Sequence, residues 1–190
     1  MRLTFEYDYR FLAAGIDQLE SYLLSSDLFW PTGLNAAKGE APYPQLTLGA
    51  LLLSLQRCRA FARLPAQRAS FEKTRLQIDA LRTHWLSAWS RKATAEFHMR
   101  LNMWRDFLMD YREDPKAHFD RYAYEVQRRV MLQLLLPDAL DLSQAELQAL
   151  NGLDLLLKEM LIPGDFIWQA DLAESFPGAE YWFLYGSLPS

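Results

Sequence analysis

Between Pro65 and Pro115 run 49 residues with no glycine and no further proline. Those two residues are the strongest helix breakers, so composition places no stop anywhere in the stretch. Its apolar residues are Ile78, Leu81, Trp85, Trp89, Ala93, Phe97, Leu101, Trp104, Leu108 and Tyr111, spaced mostly in steps of four. A step of four overshoots a full helical turn, so the stripe drifts by roughly 40° per step around the cylinder. The spacing predicts one very long helix over 66–113, about 70 Å in length, bent near Ser87 to Thr94 and wrapped across several neighbours.

Shorter helical patterns flank it. Tyr9, Leu12, Ile16, Leu19 and Leu23 define one face of a first helix, opened by Thr4 or Asp8. Pro31 disfavours helix at Trp30, and glycine and proline concentrate over 31–45, which reads as a loop. Thr47 caps a second helix with Leu48, Leu51, Leu55, Cys58 and Ala62 on one side. Asp114 followed by Pro115 marks the start of another, carrying Phe119, Ala123, Val126, Val130 and Leu134 and stopping at Pro137. Ser143 and Glu146 form a capping box for the last, which runs to about Leu161.

The final stretch differs. Residues 163–190 hold Phe166, Trp168, Phe176, Tyr181, Trp182, Phe183 and Tyr185. Disordered segments are poor in aromatics, so this one is expected to lie along the helical body. The only strand-like pattern is EYWFLYG. The chain thus reads as an all-α fold of about five helices around one very long, bent central helix. The helical bundle spans 1–162, and an aromatic, mostly irregular segment over 163–190 packs on the same domain.

Charge is segregated. Residues 1–55 carry −3, residues 56–105 carry +8 and residues 106–190 carry −9, within a total of −4. Arginine outnumbers lysine 15 to 5, which favours bidentate pairing and stacking. One cysteine, Cys58, excludes an internal disulfide and a cysteine-based zinc site. The N-terminus MRLTFEYDYR has charges where a signal peptide needs an apolar core, and the run LTLGALLLSL is half of a membrane span. The expectation is a soluble, cytoplasmic chain with no membrane partner.

No phosphate-binding loop, dinucleotide-binding glycine motif, nucleophile elbow or HExxH zinc motif occurs. His84, His98 and His118 lack the Glu-x-x-His spacing of a di-iron bundle. His98 with Met99 and Met103 reads as core filling rather than a haem site, and Cys58 as a buried small hydrophobe. No cofactor and no metal are expected.

Two patterns remain. His84, Arg91, His98, Arg105 and Arg112 recur every seven residues and form a slowly drifting cationic stripe. It is either an anion-binding or nucleic-acid-binding surface, or a face neutralised against the acidic 106–190 half. Asp106, Asp110 and Glu113 share one helical side and read as a solvated face before a cation site or a catalytic base. The leading expectation is a non-catalytic interaction or scaffold protein that binds another protein or itself as a homodimer, because the winding stripe exceeds what short neighbours cover. The alternative is a nucleic-acid or phosphate binder acting through Arg91, Arg100 and Arg105. Third comes an enzyme with a pocket of Asp106, Asp110, Tyr111, Arg112 and a histidine.

Overall fold

The computed structural model describes residues 3–190. Eight helices follow in order: α1 (Phe5–Leu24), α2 (Leu48–Phe61), α3 (Pro65–His84), α4 (Leu86–Glu113), α5 (Pro115–His118), α6 (Tyr122–Glu125), α7 (Gln127–Leu135) and α8 (Gln144–Met160). A two-stranded antiparallel ribbon of β1 (Ile162–Phe166) and β2 (Tyr185–Ser187) closes the C-terminal segment. The fold is all-α in character, with an aromatic C-terminal segment. α1 lies against α2, α2 against α7, and α7 against α4. Phe11, Tyr22, Trp89, Phe97, Trp104, Phe176 and Phe183 are fully buried between these layers.

The caps do what their chemistry dictates. Thr4 accepts the Tyr7 N–H at 3.2 Å and Thr47 the Ala50 N–H at 3.1 Å. Asp114 Oδ1 accepts from Ala117 at 3.2 Å, with Pro115 at the first helical position. Ser143 and Glu146 satisfy each other's backbone N–H groups at 3.3 and 2.8 Å.

The single long helix expected over 66–113 is instead two helices. They part at Trp85, whose backbone sits at φ −108°, ψ 34°, two residues before the segment expected to bend. Tertiary contacts flank the break. Asp138, after α7, is nearly inaccessible and accepts both the Arg82 guanidinium from α3 and the Trp89 indole N–H (2.9 Å) from α4. The break lets α3 lie on α1 and α2 while α4 turns onto α7 and α8. Most of the winding stripe is covered within the chain: Ile78, Trp89, Ala93, Phe97, Leu101, Trp104, Leu108 and Tyr111 are buried, while Leu81 and Trp85 at the break are half-buried.

The helix expected from Pro115 to Pro137 is also broken, into α5, a 3-10 turn (Phe119–Arg121), α6 and α7. Phe119 and Ala123 face water, while Tyr122, Glu125 and Val126 turn inward. Tyr122 anchors that choice by donating its hydroxyl to the Phe183 carbonyl at 2.5 Å. The C-terminal segment is bound down by further side chains of the helical body. Tyr111 donates to Pro189 O at 2.8 Å, and Arg129 stacks 4.5 Å over the Phe183 ring. Within it, Trp168, Phe176, Tyr181 and Phe183 meet edge to face. Gly186, at φ +158°, faces Ile162 O so closely that a Cβ would stand 2.4 Å away, so only glycine closes the ribbon.

Candidate anion-binding pocket

The heptad stripe lies on the outside. His84, Arg91, His98, Arg105 and Arg112 are all exposed. The acidic half of the chain does not bury them; it reaches the stripe at His98, which pairs with Glu146 of α8. Asp106, Asp110 and Glu113 face water as well, and Arg105 makes a 3.6 Å contact with Asp106, both half-exposed or more. These carboxylates interleave with the arginines and dilute any positive surface. The pocket of Asp106, Asp110, Tyr111, Arg112 and a histidine does not form: Tyr111 turns into the core and the others turn out. Among the described residues no cluster of three metal-ligating side chains occurs.

A different set of arginines turns inward. Arg57 from α2 grips Asp8 of α1 through Nε at 3.0 and 3.2 Å and Nη2 at 2.6 Å, with Ser54 Oγ 3.3 Å from Nη2. Arg100 from α4 donates Nε and Nη2 to Glu96 at 3.0 and 2.9 Å and reaches Thr47 Oγ1 at 3.3 Å. Arg128 from α7 pairs with Glu125, which Arg121 also holds at 2.7 Å. The side chains of Asp8, Glu96 and Glu125 are 0%, 0% and 2% exposed, those of Arg57, Arg100 and Arg128 9%, 13% and 19%. Arg57 and Arg100 are therefore each fixed from behind by a buried carboxylate, and Arg128 sits against Glu125, which Arg121 shares.

Glu96 is placed with particular care. Its Oε2 accepts the Gly49 N–H at 2.8 Å in the first turn of α2, where the helix dipole favours an anion. A Cβ on Gly49 would lie 2.6 Å from Glu96 Oε1, so this close approach requires glycine. Burial raises the Asp8 carboxyl above its usual range against the pull of Arg57. Burial likewise lowers the proton affinity of Arg128, and Arg100 and Arg121 push the same way while Tyr124 opposes them.

Arg57, Arg100 and Arg128 line one cavity of about 250 Å³, together with Thr47, Ser54, Tyr124 and Gln127. Arg57 and Arg100 spend their Nε–Nη2 edges on their carboxylates, which leaves each Nη1 outside the pair. The Asp8 and Glu96 pairs are neutral, whereas Arg121 and Arg128 share a single carboxylate. Arg121 is half-exposed and stands outside the cavity lining. Such an array can hold a carboxylate or phosphate by charge-assisted hydrogen bonds.

Sequence reading names Arg100 beside the outer stripe and misses Arg57, Arg128, Asp8, Glu96 and Gly49. One signal was available. Asp8 falls in step with Phe5, Leu12 and Leu19 on the buried face of α1, and Glu96 with Trp89, Ala93 and Trp104 on that of α4. A carboxylate in phase with an apolar stripe demands a buried partner. No protein family, no curated protein and no solved structure matches the chain.

Proposed function

We propose that this chain is a binding protein for a small anion, held between α2, α4 and α7 by Arg57, Arg100 and Arg128. The observation that carries the reading is three guanidiniums from three helices on one cavity, each set against a buried carboxylate. Such donors need little reordering when a ligand arrives. The phosphate-binding alternative read from the sequence is kept in chemistry and moved in place, from the outer stripe to the inner cluster. Thermal unfolding at low ionic strength tests it. Inorganic phosphate should raise the melting temperature of the protein, by about 2.7 kcal/mol of stability at a hundredfold excess over Kd. Chloride at matched ionic strength should do so far less. Equal effects of both salts would remove the reading.

A second reading, association with another protein or a second copy, has one observation in its favour. Leu24 and Leu86, each 54% exposed, meet Trp85 at the α3–α4 break, bordered by His84 and Arg91. Tryptophan and arginine around an apolar centre suit a protein interface. Light scattering across a concentration series tests it, and a monomer throughout, unchanged by Leu86→Glu, would set self-association aside.

A further inference from the structure

We infer that the anion taken by the arginine pocket is the head of an amphiphile, whose apolar part lies in a second cleft walled by the C-terminal segment. The inference rests on the anion reading above and specifies the ligand. A cleft of about 520 Å³ adjoins the arginine cavity and shares Arg57, Tyr124 and Gln127 with it. The two together are of the size of small-molecule sites, roughly 300–1,000 Å³. Their linings differ in kind. The first carries three guanidiniums; the second is lined by Leu3, Ala123, Ile167, Trp168 and Leu172, with Arg57 as its one cationic group among the described residues.

The walls of that cleft are fixed in place. Trp168 donates its indole N–H to the Ala123 carbonyl at 2.8 Å, which ties the C-terminal segment to α6. Gln169 clasps the backbone of Leu3 from both sides, its amide donating to the carbonyl at 3.1 Å and its oxygen accepting from the N–H. Leu3 and the stretch 167–172 thereby wall one apolar trough that meets the arginine pocket at Arg57, Tyr124 and Gln127. A charge-binding end and an apolar trough that meet at Arg57 fit a single ligand of the form carboxylate-or-phosphate plus hydrocarbon. They fit an inorganic ion poorly, since it leaves the trough unfilled. This arrangement also gives the aromatic C-terminal segment a role beyond covering the core.

Calorimetric titration of the full chain with inorganic phosphate, butyrate, hexanoate, octanoate and octyl phosphate tests the inference. Each buried methylene should tighten binding roughly fourfold, so octanoate should exceed hexanoate by about fifteenfold. Octyl phosphate against octanoate then distinguishes the two head groups. Ala123→Phe, at an exposed position that faces the trough, should bring octanoate down to the level of butyrate and leave inorganic phosphate untouched. Arg128→Gln should weaken every probe. Phosphate binding with no gain along the carboxylate series overturns the amphiphile and leaves the anion reading standing. No binding of any probe overturns both.

Discussion

The outer stripe and the inner cluster use the same residue and stand in opposite circumstances. His84, Arg91, His98, Arg105 and Arg112 come from one continuous sequence period, face water and touch few acids. Arg57, Arg100 and Arg128 come from three helices, are largely buried, and each has a carboxylate behind it. An exposed arginine is free to move and is screened by salt, so it contributes little to stability and recognises anions loosely. A buried one cannot exist without its carboxylate, and the carboxylate aims it. Orientation, more than charge, separates the two sets.

Removing a supporting carboxylate should have the largest effect. Asp8→Asn leaves Arg57 buried without its counter-charge and should cost about 3–5 kcal/mol, read by denaturant unfolding. Replacing the pair together, with Asp8→Leu and Arg57→Met, should cost less than Asp8→Asn alone, because no orphaned charge remains. A double variant less stable than the single would break the comparison at its root. Gly49→Ala comes next. Its methyl would press on Glu96, so a loss of about 1–3 kcal/mol is expected, together with weaker phosphate binding through displaced Arg100.

Smaller effects belong to the surface. Ser143→Ala removes the α8 cap and should cost about 1 kcal/mol. The Ser143 backbone N–H and hydroxyl, and then His98, hold the Glu146 carboxyl below its usual value. Its contribution is therefore complete above the unfolded-state value near 4.5 and is lost as pH falls through the lower folded value. The stability gap between the wild type and Glu146→Gln should shrink across that acid window. On the stripe itself, Arg105→Ala with Arg112→Ala should change stability by no more than about 0.5 kcal/mol. A loss comparable to that of Asp8→Asn would erase the distinction between the two sets.

What could be read from the chain alone divides along the same line. Helix starts were legible at Thr47, Asp114 and Ser143 because caps are local chemistry. The α-helical class and the packing of the aromatic tail were legible because periodicity and composition report burial. The break at Trp85 was not, because no glycine or proline marks it, and the Asp138 that holds Arg82 on one side and Trp89 on the other lies about fifty residues away. The fragmentation after Pro115 had a similar origin, in the distant Phe183 carbonyl that receives Tyr122. The outer stripe drew attention because its members recur at one sequence period. The inner pocket escaped because Asp8, Gly49, Glu96 and Arg128 meet only in space, and Asp8 had the appearance of an ordinary cap.

The most direct measurement is calorimetric titration of inorganic phosphate at low salt into three folded proteins: the wild type, Arg128→Gln, and the stripe variant Arg105→Ala with Arg112→Ala. Wild type and stripe variant should bind alike, with Arg128→Gln at least tenfold weaker; it should melt lower than the wild type yet stay folded, because Arg121 still pairs with Glu125. Phosphate binding that survives Arg128→Gln and disappears from the stripe variant would contradict the account.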